Sequence, residues 1–323
     1  MNDYAGGYSA SPRLRWTEVL PWVVALAAFF TLPEYLTLGA RILVFVLLAL
    51  SLDLIVGYAG IITLGHAAFF GFGSYVAGIL SARAGVSDAL LQLLAATFGA
   101  GLLGLVTGAI ILRTRGLPLM MLTLAVGSIC LEIANKATGL TGGADGLSGV
   151  TVAPILGQFR FDIFGKTAYL YCLAVLFVGW WIVRRLIHSP FGASLAGIRE
   201  NNARMLAIGA PVYGRLVLVY TLSAMLAGMA GALLTQTTQF VGLNVLSFDL
   251  SGELLVMLIL GGVGRLYGAF VGPVVYMIAQ YQLAKQFPEY WYLGIGLLLV
   301  VVVLFARGGV LGLLDRLFGK PSP

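Results

Sequence analysis

The stretch ALLQLLAATFGAGLLGLVTGAIIL, residues 89–112, decides the fold, because it runs for 24 residues without a charged side chain. A helix that crosses a bilayer needs about 20 largely apolar residues, and about 17 can suffice. Further charge-free runs of 16 to 19 residues lie at 116–131, 167–183, 266–284 and 290–306. The ten-residue alternation of a membrane β-barrel is absent from the sequence. We therefore predict an all-α polytopic membrane protein.

The composition of the whole chain leads to the same class. Of its 323 residues, 60% are hydrophobic and only 10% are charged, whereas soluble domains carry about 25% charged residues. The net charge of +6 does not indicate nucleic-acid binding, because the basic residues lie between the apolar runs and set membrane orientation. Cys130 and Cys172 both lie inside apolar runs, which predicts neither a disulfide framework nor a metal site.

About ten membrane segments are predicted (eight to ten, some of them broken or re-entrant), at residues 19–38, 41–57, 62–82, 89–112, 117–136, 167–187, 214–236, 251–264, 266–285 and 290–306. The first has the outline of a signal peptide, but no small-residue cleavage site follows it. We therefore keep it as a transmembrane helix.

Orientation follows from the basic residues. With both termini inside, thirteen of them face the cytoplasm, namely Arg13, Arg15, Arg113, Arg115, Arg184, Arg185, Arg199, Arg204, Arg215, Arg265, Arg307, Arg316 and Lys320. Six face the other side, namely Arg41, Arg83, Lys136, Arg160, Lys166 and Lys285. This asymmetry obeys the positive-inside rule. The predicted organisation is a cytoplasmic tail at 1–18, a membrane domain at 19–306 with an external loop at 137–166 and a cytoplasmic loop at 188–214, and a cytoplasmic tail at 307–323.

The segment GYAGIITLGHAAFFGFGSY, residues 57–75, combines apolar side chains with many glycines. Glycine in a helix interior costs about 1 kcal/mol relative to alanine, so the pattern is typical either of a broken helix beside a polar cavity or of close helix packing. His66 is the one histidine inside a predicted span. It is either a substrate contact or proton relay, or a neutral residue that caps exposed backbone at a helix break.

A second glycine-rich segment is LGGVGRLYGAFVGP, residues 260–273. Gly264, Gly268 and Gly272 recur every four residues and are predicted to form one helix-packing face. Asp53, Glu132 and Glu253 lie near the ends of spans, too dispersed to form a site for a coupling ion.

The loop SPFGASLAGIRENNARMLAIG, residues 189–209, is predicted to form an amphipathic helix on the cytoplasmic side. Ser189 and Pro190 are typical of a helix start, and Phe191, Leu195, Ile198, Met205 and Leu206 recur at helical spacing. The loop is not rich in lysine, so docking into a partner's groove is favoured over lying on the membrane surface. The sequence has no Gly-x-x-x-x-Gly-Lys-Ser/Thr loop and no hydrolase or metalloprotease motif. If transport is driven by nucleotide hydrolysis, the hydrolysing subunit has to be another polypeptide.

These segments, in this order, resemble the permeases of branched-chain amino acid ABC importers, of the LivM type. The matching stretches are residues 57–75 with their LGHAAFFG core, RGLPLMMLTLA from Arg115, TGGADGL from Thr141, residues 189–209, SAMLAGMAGA from Ser223, residues 251–273 and the RGGVLGLL tail from Arg307. The loop departs from the Glu-Ala-Ala pattern of many ABC importers, since two asparagines follow Glu200.

The resemblance implies the permease subunit of an ATP-driven importer in the bacterial inner membrane, for branched-chain or related hydrophobic amino acids. Its partners would be a second, homologous permease, two ATPase subunits that bind ATP and Mg²⁺, and an extracytoplasmic solute-binding protein; this chain would be non-catalytic and hold no cofactor. The residues expected to couple it to an ATPase are Phe191, Gly192, Ile198, Arg199, Glu200, Asn201, Asn202 and Gly209. Those expected to line or gate the passage are Gly60, Thr63, Gly65, His66, Phe69 and Phe70.

Three alternatives stay open on the sequence. Relatives in this family also import urea, short amides or aromatic acids. A stand-alone secondary transporter or channel would need an intramembrane carboxylate cluster or a carbonyl-lined filter. A membrane enzyme would need a nucleophile with an activating base, for which His66 and His188, on different segments, offer little material.

Overall fold

The computed structural model describes residues 16–154 and 165–305, together with 309, 310 and 312. The predicted tails, 1–18 and 307–323, lie almost wholly outside the described residues, and so does the middle of the 137–166 loop. Six of the basic residues used for orientation fall there as well: Arg13, Arg15, Arg160, Arg307, Arg316 and Lys320.

The described residues form helices joined by short connections. These are α1 Trp16–Thr31, α2 Leu36–Asp53, α3 Ala67–Ala82, α4 Ala89–Ile111, α5 Leu117–Lys136, α6 Thr138–Thr141, α7 Lys166–Ile187, α8 Pro190–Glu200, α9 Asn202–Ala207, α10 Val212–Thr238, α11 Phe248–Gly261, α12 Gly268–Gln286 and α13 Trp291–Phe305. Short 3₁₀ turns occupy 33–35, 143–145 and 243–246, and a π turn at Leu54–Tyr58 continues α2. An all-helical, multi-pass membrane protein is confirmed: α4, α5, α7, α10 and the continuous segment Pro33–Tyr58 are long and apolar enough to cross a bilayer.

Helices α2 and α10 form the centre of the molecule. Helix α10 packs against α2, α3 and α4, and α2 also packs against α7 and α12. The contacts around α10 are close because glycines face each other: a Cβ atom at Gly73 would overlap the backbone of Gly228, and one at Gly228 would overlap Ala100. Helices in lipid gain little from burying apolar side chains, so small residues that let backbones approach supply the van der Waals contact instead.

Three predicted spans differ from the observed helices. The span at 19–38 is interrupted after Thr31, because Pro33 has no amide hydrogen and disfavours helical geometry at Leu32. The span at 62–82 is helical only from Ala67, and that at 251–264 is helical from Phe248 to Gly261. Helices α3 and α11, with 16 and 14 residues, are shorter than the roughly 20 residues of a full span.

Contacts between connections tie the two ends of the helices together. At one end, the backbones of Leu147 and Val241 exchange hydrogen bonds of 2.8 and 3.1 Å, and the Ala153 amide donates to the Ser87 carbonyl (2.7 Å). At the other end, the Arg115 guanidinium donates to the side-chain oxygen of Asn202 (2.8 Å).

Candidate functional site

An interruption of the helical backbone separates α2 from α3. After the π turn at Leu54–Tyr58, residues 59–66 follow no regular helix, and α3 begins at Ala67. Gly60 has a φ of +71°, which favours glycine because a Cβ atom clashes with the backbone there. Of the two interpretations of the glycine pattern, the broken helix therefore applies to 59–66, whereas close packing applies to Gly73 inside α3.

His66 lies at the end of this interruption with its side chain inside the protein. The residue is 0% exposed, and its Nε2 is 2.8 Å from the hydroxyl of Ser51 on α2. It therefore does not cap exposed backbone with its ring, as one interpretation predicted. Nδ1 has no hydrogen-bond partner among the described residues.

The other predicted passage residues fall into different environments. Thr63 is buried and its hydroxyl accepts a hydrogen bond from the Gly65 amide (3.3 Å). Phe69 and Phe70 are fully buried, and Phe69 meets Tyr220 of α10 edge to face. Gly60 is exposed, and Gly65 lines a cavity. Their role in transport stays a prediction.

That cavity, of about 340 Å³, lies between the interruption, α5 and the start of α11. Its apolar lining comes from Leu64, Leu124, Leu131, Leu246 and Phe248, and its polar lining from Ser128, Glu132, Ser247 and Ser251. Gly65 approaches α5 so closely that a Cβ atom there would overlap the Thr123 carbonyl.

The two short helices begin beside this cavity and are joined at their starts. The Ala67 amide, first in α3, donates to the hydroxyl of Ser251 on α11 (3.1 Å). Ser247 caps α11 by accepting from the Leu250 amide (3.2 Å). The cap could have been found in the sequence, since a serine directly before an apolar helix is a start signal; the pairing of the two helix starts could not.

The 189–209 loop folds as two helices instead of the single predicted one. Ser189 caps α8, with its hydroxyl 3.4 Å from the Gly192 amide, and α8 begins at Pro190 as expected. Asn201 then adopts extended backbone geometry and caps α9 by accepting from the Arg204 amide (2.9 Å). Leu195 and Ile198 are buried, whereas Leu206 is 53% exposed, because the bend at Asn201 turns it away from the apolar face.

The predicted coupling residues divide between packing and exposed positions. Gly192 lies against the end of α7, where a Cβ atom would overlap the Ile187 backbone. Ile198 is buried, Phe191 is half-buried, and Asn202 is held by Arg115. Glu200, Asn201 and Gly209 are exposed, and so is Arg199.

Arg199 links α8 to the interrupted helix. Its Nη1 donates a hydrogen bond to the carbonyl of Gly57, in the π turn that ends α2. Beside it, the buried carboxyl group of Asp53 accepts from the Gly264 amide (2.7 Å). Three separate parts of the chain therefore meet at this junction: the end of α2, the end of α8 and the connection between α11 and α12.

Gly264 was expected to share one helix face with Gly268 and Gly272, and here the prediction is wrong. Gly264 lies in the 262–267 connection with a φ of +77°, a backbone geometry that interrupts a right-handed helix. A Cβ atom at Gly57 would overlap its backbone. Gly268 and Gly272 do lie on α12, where a Cβ atom would overlap the backbones of Gly262 and Met257, respectively.

Comparison with known proteins gives one family. The family model described as "Branched-chain amino acid transport system / permease component" matches residues 35–303. The chain is 26% identical over 290 residues to the high-affinity branched-chain amino acid transport system permease protein LivM of Salmonella typhimurium. It is 25% identical over 290 residues to the LivM protein of Escherichia coli. Each of these alignments covers 83% of this chain and 68% of the relative. It is 24% identical over 312 residues to the probable LivM of Methanocaldococcus jannaschii, covering 82% of this chain and 89% of the relative. No solved structure matches significantly.

Proposed function

This chain belongs to the branched-chain amino acid transport permease family, and from that premise we propose that it is the membrane-spanning subunit of an ATP-driven importer for branched-chain or related hydrophobic amino acids. The amino acid would be delivered by an extracytoplasmic solute-binding protein. A second, homologous permease would complete the conduit, and two ATPase subunits would bind ATP and Mg²⁺. This chain contributes the passage and its coupling surface and performs no chemistry of its own.

The proposed arrangement has ten membrane segments, with both termini in the cytoplasm of a bacterial cell and the domain in its inner membrane. The contacts between connections support it. By the charge distribution, Gly57, Arg199 and Gly264 lie on the cytoplasmic side, and these three contact one another. Arg115 and Asn202 lie on the same side and are hydrogen bonded to each other. It places the connections that contain Ser87, Leu147, Ala153 and Val241 on the opposite side, and these too are hydrogen bonded together.

Helices α8 and α9 form the proposed docking element for an ATPase. They follow α7, which ends with Arg184 and Arg185 as the positive-inside rule requires of a cytoplasmic end. Their outward-facing residues, Glu200, Asn201 and Gly209, are available to a groove on a partner. Residues Gly192 and Ile198 pack α8 against the membrane domain, so that a movement of the docked element is passed on to the membrane helices.

The single observation that carries the coupling mechanism is the hydrogen bond from Arg199 to the Gly57 carbonyl. Gly57 lies between α2 and the interrupted segment. Because Arg199 of α8 is bonded to Gly57, a displacement of α8 acts directly on the least regular part of the membrane domain. Because the Asp53–Gly264 hydrogen bond adjoins it, the same displacement reaches α11. We infer that ATP-driven closure of the two ATPases alternates the access of the passage through this junction.

The coupling role is tested in proteoliposomes that hold the complete importer, with both permeases, both ATPases and leucine-loaded binding protein. Replacing both Arg199 and Glu200, as Arg199→Gln with Glu200→Gln, should abolish leucine uptake and the stimulation of ATP hydrolysis by the binding protein. Arg83→Gln is the matched control, because Arg83 is an exposed basic residue on the opposite side.

The single variants separate the two roles. We expect Glu200→Gln to weaken association with the ATPases, whereas Arg199→Gln should leave the assembled complex hydrolysing ATP without transport. Undiminished uptake by the double variant, at equal amounts in the membrane, would rule out the coupling role of α8.

A further inference from the structure

We propose that the cavity between α3, α5 and α11 is the site at which the permease binds its substrate during transport, and that this site recognises a zwitterionic α-amino acid with a branched apolar side chain. The inference rests on the proposed import function and adds to it the place and the chemistry of recognition inside the membrane domain. Of the six predicted passage residues, Gly65 lines this cavity and the other five do not.

The size and apolar lining of the cavity suit such a molecule. Ligand pockets enclose about 300–1,000 Å³ and are lined mainly by apolar side chains with a few polar groups. At about 340 Å³, the cavity lies at the small end of that range. Its leucines, with Phe248, offer a branched hydrocarbon group an apolar surface on which its burial is favourable.

The polar lining supplies complementary groups for both charges of a zwitterion. The Glu132 carboxylate on α5 can accept hydrogen bonds from an ammonium group. The hydroxyls of Ser128, Ser247 and Ser251 lie on the same cavity, and Ser251 accepts from the Ala67 amide through its oxygen, which leaves its own hydrogen to donate. The starts of α3 and α11 add the partial positive charge of two helix dipoles near a carboxylate. An uncharged amide or an aromatic acid anion would offer Glu132 no ammonium group.

The cavity is open toward the exposed face of α5. Ser128 and Glu132 are both exposed, and neighbouring residues of the helix, such as Ile129 at 57% and Ile133 at 62%, face outward as well. In the proposed importer the second permease is the natural cover for this side. The amino acid would then be held between the two permeases, next to the segment that Arg199 can displace.

The first test fills the cavity from Gly127 on α5. A Cβ atom there would lie 3.6 Å from its nearest neighbour, the Gly65 Cα, so Gly127→Ala fits, whereas Gly127→Leu occupies the apolar part of the cavity. In the complete importer, with saturating leucine-loaded binding protein, we expect Gly127→Leu to lower the leucine uptake rate by about tenfold or more, since one methylene group in an apolar pocket changes discrimination by a factor of about 10–200. The matched control is Gly296→Leu on α13, where a Cβ atom has open space around it.

The second test addresses the ammonium group and depends less on folding, because Glu132 is exposed. Glu132 forms a 3.2 Å ion pair with Lys136, so Glu132→Gln and Lys136→Gln break the same pair while only the first removes the carboxylate. We expect Glu132→Gln to lower the leucine uptake rate by about tenfold, as the loss of a hydrogen bond to a charged group implies, and Lys136→Gln to stay within about twofold, as exposed ion pairs contribute little. Stimulated ATP hydrolysis should persist in both.

The outcomes separate this inference from the proposed function. If the wild-type importer moves leucine and Gly127→Leu does so at an equal rate, the cavity is not on the passage, although the import function stands. If Glu132→Gln and Lys136→Gln behave alike, the zwitterion recognition is overturned. A wild-type complex that moves no amino acid at all overturns the import function and this inference together.

Discussion

Ser51 connects three parts of the membrane core through one side chain and one carbonyl. Its hydroxyl is 2.6 Å from the Leu48 carbonyl and 2.8 Å from Nε2 of His66, and its carbonyl accepts from the Ser223 hydroxyl on α10. A serine hydroxyl has one hydrogen to donate. If the Leu48 carbonyl accepts this hydrogen, His66 must donate from Nε2, and Nδ1 is left as an unpaired acceptor. If Nδ1 carried the proton instead, an unpaired N–H group would be buried, which is rarer and costs more free energy. The geometry therefore assigns a neutral His66 with its proton on Nε2.

Ser51→Ala should destabilise the protein through His66. The substitution leaves the Nε2–H buried without an acceptor, which costs about 1–3 kcal/mol, so the unfolding midpoint in detergent should fall. Ser148→Ala, at an exposed serine in the 137–166 loop, is the control and should change stability by less than about 0.5 kcal/mol.

Adding His66→Phe to Ser51→Ala should recover part of the loss, because both polar partners are then gone. An unchanged midpoint for Ser51→Ala would mean that the Nε2–H group of His66 finds another acceptor.

At the scale of elements, Asn201 sets the geometry of the coupling loop. Its extended backbone ends α8, and its side chain begins α9. The helical spacing of apolar residues continues across it from Ile198 to Met205, so the periodicity alone predicts one helix. Asparagine is among the residues most favoured at a helix N-cap, and in this loop the cap prevails over the periodicity.

Asn201→Ala should loosen α9 while leaving the membrane helices intact. Loss of an N-cap costs about 1 kcal/mol, and hydrogen exchange of the amides in Asn202–Ala207 should accelerate accordingly. Uptake by the complete importer should fall with it, since a frayed α9 presents a less ordered surface to an ATPase. Asn201→Asp should restore both properties because aspartate caps equally well; failure of the rescue would show that the amide itself contacts a partner.

The elements also show what sequence reasoning could and could not reach. Long charge-free runs predicted α4, α5 and α7 to within a residue or two, because a full span has to be continuously apolar. The start of α3 was obscured, since the irregular residues before it are as apolar as a helix, whereas α11 was predicted at its observed length of 14 residues but three residues too late. The glycines of 57–75 were compatible with a break and with close packing, and both occur. The junction of Arg199, Gly57 and Gly264 depends on contacts between residues more than 60 positions apart, which no local pattern encodes.

At the scale of the whole molecule, the hydrogen bonds between connections form two groups, although residues before α3 and residues before α11 both line the cavity. The hydrogen bonds of Gly57, Arg199 and Gly264 tie one end of the bundle, and those of Leu147 and Val241 tie the other. Such a separation is what a membrane imposes, because unpaired backbone groups cannot remain in lipid. The starts of α3 and α11 meet beside the cavity, where the Ala67 amide donates to the Ser251 hydroxyl.

The sidedness can be measured with single cysteines in a variant whose Cys130 and Cys172 are replaced by serine. Ala84 and Gly139 are exposed at the proposed outer end, after α3 and on α6, and Ala203 and Ala207 are exposed on α9 at the proposed inner end. Each is replaced by cysteine in turn. A membrane-impermeant maleimide added to intact spheroplasts should label the first pair, and should label the second pair only after permeabilisation. Two proposed spans separate Ala84 from Gly139 and one separates Gly139 from Ala203, so a single miscounted segment between residues 84 and 203 would put at least one of these positions on the wrong side. Labelling of α9 from outside would contradict the orientation and, because a cytoplasmic ATPase could not then reach α8, the coupling mechanism with it.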